Sequence, residues 1–344
     1  MVGMDWQRAL SRRNLLVTAF LILAGCVVPP AFDREKVCSS SVMDCAPYDL
    51  EGRFGRITDP VLAEVSGLAV TRWSDDRLWA INDSGGEPAL YLLDGKGVYL
   101  GKVEVTGATN VDWEELATFY HEGRPHIVIA DIGDNANLRP GETAGKRAFV
   151  TLYIVEEPRI EGARPTLNQK VDVSWSQRFV YEDGPRDCES LAVDPDTGKL
   201  LLISKRTNPP MLYELPLAPE YADEQLVASR VEYVDGLPIP RDKEKLPNNR
   251  YGKYSFQNTA MDISSDGRKA AVLTYGATWL FERDVNESWA EAFAKDPKLV
   301  ATPFLAQAEA LAFTPDGRSL YVTSEGIPAP MLRLRQQQTL PVPD

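Results

Sequence analysis

The sequence predicts an all-β protein, a β-propeller built from four-stranded blades. Three observations lead to this prediction. A short apolar segment recurs five times, a turn rich in Gly and Asp and a second apolar run follow most copies, and further strand candidates separate one copy from the next. Two apolar runs joined by such a turn are typical of a β-hairpin, and repeated groups of four strands are typical of a propeller. We expect five blades. Six is the alternative, if a degenerate blade lies within residues 131–187 or 205–258.

The recurring segments are interpreted as the first strand of each blade. They occupy residues 66–70, 114–118, 189–193, 259–263 and 309–313. The fifth copy lacks a fourth strand candidate before the C-terminus, and residues 50–57 are expected to supply it from the N-terminal side. Pairing the two ends of the chain in one blade closes the ring and leaves no open sheet edge.

The first 25 residues have the pattern of an export signal. Arginines precede an apolar run at residues 15–24, which is short for a transmembrane helix and has the length of a signal-peptide core. The run ends at Leu23-Ala24-Gly25-Cys26, which resembles the lipobox of bacterial lipoproteins and implies a lipid on Cys26. A plain signal peptide or a short anchor is the alternative, and paired arginines leave twin-arginine export open. We expect an envelope protein that is lipid-anchored and faces the periplasm or the exterior.

These observations divide the chain into four parts. They are a signal peptide (1–25), a lipidated tether (26–47), the propeller (48–338) and a C-terminal tail (339–344). Cys38 and Cys45 lie in the tether and are a candidate disulfide, because exported proteins meet an oxidising compartment. Cys188 is expected to be a buried, small apolar residue. The net charge of −13 argues against nucleic acid as a partner.

The first strand of every propeller blade lines the central channel, so equivalent positions of the five copies form a ring. The position at which the first strands begin is occupied by Ser66, Glu114, Glu189, Thr259 and Glu309. Carboxylates that close together repel and raise one another's pKa unless a cation neutralises them. Oxygen ligands select a hard cation, and a flexible ring favours Ca²⁺ over Mg²⁺. The alternatives are a hydrated channel mouth, or a ring neutralised by a Lys or Arg from a loop.

One face of the propeller is predicted to bind a ligand. First strands begin and second strands end on this face, and two long segments, residues 132–147 and 240–257, open onto it. Lys205 and Arg206 add positive charge and could together hold an anionic small molecule beside the cation, such as a phosphate or a carboxylate. The alternative is that they are solvated loop charges. The candidate ligand contacts are Asp83, Asp131, Lys205, Arg206, Tyr275 and Glu325.

A second acidic segment on this face has two interpretations. Asp131, Asp134, Asn135 and Asn137 offer oxygen ligands for a second metal, but they lack the spacing of an EF-hand loop. A polar turn is the other interpretation, and it is the one that turn-residue chemistry favours.

Most other chemistries are excluded by what the sequence lacks. It contains two histidines, no G-x-S-x-G motif, no phosphate-binding glycine motif and no cysteine spacing of a zinc site. The residues therefore predict a membrane-anchored, calcium-binding propeller that binds a ligand or serves as a scaffold for an envelope protein. The alternative is a metal-dependent hydrolase of phosphoesters, esters or lactones, with Glu114 or Asp131 as the base.

The blade segments also resemble known propeller families. The runs at Ser66, Glu189 and Glu309 are similar to the calcium-holding strands of calcium-dependent apyrases, which are five-bladed propellers. This resemblance implies a central calcium. The segments that hydrolyse nucleotides in that family are not recognisable here, so apyrase activity is not implied. Segments 112–117, 131–135 and 262–268 resemble bacterial propellers of the SdiA-regulated and phytase-esterase-like kind, which imply a fold rather than a reaction.

Overall fold

Each sequence repeat folds into an antiparallel sheet whose strands follow one another along the chain. The computed structural model describes residues 32–41, 43–52, 55–134, 147–160, 162, 169–222, 224–238 and 254–337. The predicted signal peptide, Cys26 and the tail at 339–344 lie outside the described residues. The described residues from Asp33 onward belong to one structural unit.

The strands are short and occur in consecutive groups. A helix, α1 (Arg34–Ser40), and two strands, β1 (Tyr48–Leu50) and β2 (Gly55–Ile57), come first. The first blade contains β3 (Val65–Val70), β4 (Arg77–Asn82), β5 (Ala89–Asp94) and β6 (Tyr99–Thr106). The second contains β7 (Trp113–His121), β8 (Arg124–Asp131), β9 (Val150–Glu156) and β10 (Gln169–Tyr181).

The remaining blades repeat this order. The third contains β11 (Cys188–Val193), β12 (Lys199–Ser204), β13 (Met211–Pro216) and β14 (Gln225–Tyr233). The fourth contains β15 (Asn258–Ile263), β16 (Lys269–Thr274), β17 (Thr278–Glu282) and β18 (Lys298–Val300), with helix α2 (Trp289–Ala294) before its last strand. The fifth contains β19 (Ala308–Phe313), β20 (Ser319–Ser324) and β21 (Ala329–Gln336).

The two ends of the chain meet in the fifth blade. Both β1 and β2 pair with β21 in antiparallel register, with Leu50 opposite Leu334 and Ile57 opposite Ala329. The expectation that residues near 50–57 complete this blade is confirmed. Pairing the ends in one sheet leaves β21 with hydrogen-bonded neighbours on both sides.

The first strands of the blades enclose a channel. They contact one another in cyclic order, β3 with β7, β7 with β11, β11 with β15, β15 with β19, and β19 with β3. A closed cycle of this kind, with sheets radiating from it, is a propeller. The all-β propeller fold is therefore confirmed.

Apolar side chains fill the space between neighbouring blades. Leu191 and Met211 of the third blade pack in one cluster with Val128 and Leu152 of the second. These side chains are shielded from water, and burial of this kind is the main force that holds sheets face to face.

The strand β10 links three blades. It pairs antiparallel with β9, and its ends pair in parallel with β6 of the first blade and with β14 of the third blade. The outer edges of three neighbouring blades are therefore hydrogen-bonded to one another, and this covers strand edges that would otherwise be open.

The segment before β1 packs against the fourth blade. Cys38 and Cys45 form a disulfide, and Cys45 lies beside Leu299 of β18 in a parallel bridge. The backbone N–H of Ala46 donates to the carbonyl of Leu299, at 2.8 Å. Within the described residues, no helix has the length and apolar character needed to cross a membrane.

Candidate functional site

A β-bulge interrupts the first strand of every blade at the same position. In each pairing of a first with a second strand, the register skips one residue. The skipped residues are Ser66, Glu114, Glu189, Thr259 and Glu309, the five that the sequence predicts to form a ring. A bulge redirects the side chain that it carries. We call these five residues the bulge ring.

The two hydroxyl residues of the bulge ring connect adjacent blades. Ser66 Oγ donates to the carbonyl of Trp113, and Thr259 Oγ1 donates to the carbonyl of Ala308, both at 2.7 Å. In each pair the acceptor lies in the first strand of the next blade. Both hydroxyls therefore contribute to blade docking, and their oxygens keep lone pairs that face away from this bond.

Five carboxylates of the first three blades form a compact cluster around Glu114. In a first group, Asp83, Asp112 and Glu114 each place one carboxylate oxygen within 4.8 Å of the other two. Glu114, Asp187 and Glu189 form a second group with the same spacing. Glu114 thus belongs to both groups. We call these five residues the carboxylate cluster.

Two oxygens in the carboxylate cluster are buried without a partner. Within the described part of the chain, Glu114 Oε1 and Glu189 Oε2 have no hydrogen-bond donor. Both side chains are almost fully shielded from solvent, at 5% and 3% exposure. A buried carboxylate oxygen with no donor is costly, so its presence points to a group that would occupy the site.

The pKa values of the cluster are raised. Burial, followed by the charges of Asp83 and Asp187, raises the pKa of Asp112 to about 7. Burial, followed by the charge of Glu189, raises the pKa of Glu114 well above its ordinary value. Burial also raises the pKa of Glu189, against the opposing charge of Lys205. In the absence of a bound cation, these groups are therefore pushed toward their protonated forms.

Lys205 lies inside the ring rather than on its rim. Its ammonium group forms an ion pair with Glu189 and donates to the hydroxyl of Tyr275 at 3.0 Å. Burial alone lowers the pKa of Lys205, but the charges of Glu189 and Glu309 outweigh burial and raise it. Lys205 corresponds to the cation from a loop that the sequence left open as an alternative, and it neutralises one carboxylate.

Two arginines border the carboxylate cluster. Arg206 Nε lies 2.6 Å from Asp187 Oδ2, and Arg147 Nη1 lies 2.6 Å from Asp131 Oδ1. Asp131 also accepts the backbone N–H groups of Val111 and Asp112. Asp131 therefore supports the backbone that carries Asp112, and its oxygens are already occupied.

The remaining predicted residues lie on the side of the fifth blade. Burial raises the pKa of Glu309, against the opposing charge of Lys205 and a hydrogen bond from Tyr275. Burial and the charge of Glu309 raise the pKa of Glu325 to about 8, and Glu325 accepts from Gln307 Nε2 at 2.8 Å. Asn135 and Asn137 of the second acidic segment lie outside the described residues. Asp134 is described, and its backbone N–H donates to Asp187.

Sequence reasoning missed two members of the carboxylate cluster, Asp112 and Asp187. Each lies two residues before a glutamate of the bulge ring, in Asp112-Trp113-Glu114 and Asp187-Cys188-Glu189. This Asp-x-Glu spacing occurs where β7 and β11 begin. It is the sequence signal from which Asp112 and Asp187 could have been predicted.

The sequence matches no protein-family model and no curated protein. Among solved structures, the chain is similar to Kuenenia stuttgartiensis hydrazine synthase. The two are 12% identical, the match covers 76% of this chain and 80% of that chain, and the TM-score is 0.40.

Proposed function

We propose that the chain is a lipid-anchored protein of the bacterial cell envelope whose propeller binds calcium and uses it to hold an anionic ligand or an envelope partner. The observation that carries this proposal is the pair of buried, unpartnered oxygens of Glu114 and Glu189 within the carboxylate cluster. A cation between them would satisfy both oxygens and remove the repulsion that raises the pKa values.

Charge balance supports a cation in addition to Lys205. The cluster has five carboxylates, and among the described residues the cationic side chains paired with them are Lys205 and Arg206. A divalent cation would offset most of the remaining negative charge without requiring protonation. This is why we favour a metal site over a ring neutralised by lysine alone.

The ligand set favours calcium. Every candidate ligand is an oxygen, and the set mixes buried carboxylates with the half-exposed Asp83. Ca²⁺ accepts six to eight oxygens in variable geometry, whereas Mg²⁺ demands a near-ideal octahedron. An envelope protein also works outside the cytoplasm, where calcium is more abundant. The calcium ring of apyrase-like propellers is consistent with this assignment.

Arginine placement supports an anionic ligand. Arg206 and Arg147 both lie half-buried at the cluster, each paired with an aspartate. An anion that bound the cation would lie close to these guanidinium groups, which favour carboxylates and phosphates. The same chemistry serves a small molecule or an acidic side chain of a partner protein.

Glu114→Gln is the sharpest test, because Glu114 belongs to both groups of carboxylates. We expect the calcium affinity of the purified protein, measured by isothermal titration calorimetry at pH 7.5, to fall at least about tenfold, or 1.4 kcal/mol. Glu157→Gln is the matched control. Glu157 is also buried with a raised pKa of about 7, but it accepts from Trp79 Nε1 and the backbone of Arg72, away from the cluster.

Two results would contradict the calcium assignment. One is a wild-type protein that binds no divalent cation at millimolar calcium. The other is an equal loss of affinity in Glu114→Gln and Glu157→Gln, which would mean that the effect comes from general destabilisation.

The lipid anchor rests on the segment at residues 23–26. Cys26→Ser is expected to move the protein from the membrane fraction to the soluble fraction and to abolish incorporation of a labelled fatty acid. Immunoblotting of fractionated cells, with fatty-acid labelling, measures both. If the variant stays in the membrane fraction, Cys26 is not the anchor.

Metal-dependent hydrolysis is the second candidate function. The observation in its favour is that Glu114 is shared between two groups of carboxylates, because two neighbouring cations are a common arrangement in hydrolases of phosphoesters. Turnover of nucleotides, phosphoesters, esters or lactones that is lost with EDTA and in Glu114→Gln would establish it. Calcium binding without any turnover would leave the binding function.

A further inference from the structure

A funnel-shaped cavity opens at the end of the channel opposite the bulge ring. Its volume is about 440 Å³, and all five blades contribute residues where their first strands end. Its walls combine polar groups with apolar side chains, among them Val70, Val193, Ile263 and Phe313. Cavities that bind small molecules commonly measure about 300–1,000 Å³ and have apolar walls with a few polar groups.

Glu115 separates the funnel from the carboxylate cluster. The residue follows Glu114 in the second blade, yet its Oε2 accepts the backbone N–H of Met261 in the fourth blade, at 3.2 Å. Its Oε1 accepts the backbone N–H of Leu116. This oxygen also lies close to the first blade, because a Cβ atom added to Gly67 would be 3.0 Å from it. The second and fourth blades are not neighbours, so the side chain must cross the channel axis. The two ends of the channel are therefore separate compartments.

The carboxylates at the funnel already accept hydrogen bonds. Asp262 accepts from the backbone of Ile263 and Phe313, at 2.8 Å each. Asp194 accepts from Thr197 and from the backbone of Asp196, and it lies 3.5 Å from Arg283. These groups are held by the protein itself and do not call for a cationic ligand.

Arg72 differs from these carboxylates, because it is a cation and one of its buried nitrogens has no hydrogen-bond partner among the described residues. Its Nη2 donates to the carbonyl of Thr118 at 2.6 Å, which fixes the guanidinium group at the cavity wall. Its Nε is buried and has no hydrogen-bond acceptor among the described residues. The group lies 5.5 Å from the ring centroid of Tyr120, which also lines the cavity. The funnel thus combines apolar and polar wall groups with a positioned cationic side chain.

We propose that the funnel is a second binding site, for a small organic anion with an apolar body, and that Arg72 binds the anionic group. The positive charge of the guanidinium group attracts an anion in the cavity, and a charge-assisted bond in a partly buried site is stronger than one in water. The apolar body would replace water against the strand ends. This site is independent of the calcium site, because Glu115 lies between them.

Two fluorescent probes that differ by one group test the proposal. The anion 1-anilinonaphthalene-8-sulfonate is expected to bind wild-type protein at one saturable site, and Arg72→Met to weaken it at least tenfold. N-phenyl-1-naphthylamine has the same rings without the sulfonate, and its affinity is expected to change less than threefold in that variant. Arg72→Lys keeps the charge and should retain most of the affinity for the anionic probe.

Matched controls separate the funnel from the rest of the surface. Arg178 lies 4.9 Å from the Phe149 ring, outside the funnel, so Arg178→Met should leave both probes unaffected. Ser265 is exposed at the funnel wall, and Ser265→Trp should weaken both probes by obstructing the cavity. The result should be the same in calcium and in EDTA, so failure here is distinguishable from failure of the calcium proposal.

The proposal is overturned if Arg72→Met leaves the anionic probe unaffected or weakens both probes equally. It is also overturned if Ser265→Trp changes the affinity of neither probe. Should Arg72→Met fail to fold, competition on the unmodified protein decides, because octanoate must then displace the neutral probe more strongly than octanol does.

Discussion

Calcium is expected to raise the melting temperature by at least about 5 °C at pH 8, and by much less at pH 5. The carboxyls of Asp112, Glu114, Glu189 and Glu325 ionise near pH 4 in an unfolded chain. In the calcium-free fold their pKa values are raised, to about 7 for Asp112 and about 8 for Glu325. Between about pH 4 and pH 8 the folded state therefore binds more protons than the unfolded state does.

The sign of the pH effect follows from this difference. Stability decreases with rising pH wherever the folded state binds more protons, so the calcium-free protein loses stability from about pH 4 up to about pH 8. At the proposed site, calcium would bind the ionised carboxylates of the folded state and restore stability where the loss is largest. Differential scanning calorimetry at pH 5, 6.5 and 8, with calcium, magnesium or EDTA, measures the effect. A calcium-free protein that is equally stable at pH 5 and pH 8 would contradict the argument.

The repeat in the sequence predicted which five residues form the bulge ring, but not which contacts each of their side chains makes. Equivalent positions in the blades share a backbone environment, which is why five bulges occur at the five predicted residues. The side chains differ in length and partners. Ser66 and Thr259 bond to neighbouring blades, whereas Glu114 and Glu189 reach the carboxylate cluster. Which of these contacts a side chain makes depends on tertiary distances that a repeat does not encode.

Residues outside the repeat were harder to predict. Asp112 and Asp187 precede the recurring segment, so an alignment of the five copies does not include them. Lys205 was predicted to lie on the ligand face, but its ion pair with Glu189 depends on how far its flexible side chain extends into the channel. The same limit applies to β10. Its parallel pairing with β6 and β14 joins strands far apart in sequence, and local patterns do not specify such pairings.

Gly133→Ala is expected to reduce calcium affinity by at least about a hundredfold, although it removes no ligand. A Cβ on Gly133 would overlap Glu114 Oε1 and would lie 2.5 Å from Asp112 Oδ2. Both carboxylates would have to move, and a displacement of this size disrupts a site that depends on converging oxygens. Isothermal titration calorimetry measures the affinity, and thermal denaturation in EDTA shows whether the fold survives.

Gly86→Ala provides the comparison, because Gly86 follows the second strand of the first blade on the same face. A Cβ there would meet its nearest atoms at 3.3 Å, which small shifts can accommodate. We expect its calcium affinity to stay within threefold of the wild type. If Gly133→Ala also keeps wild-type affinity, the cation is not held between Asp112 and Glu114. If it loses calcium while all five carboxylates remain, then their geometry, and not the negative charge of the channel alone, is what selects the ion.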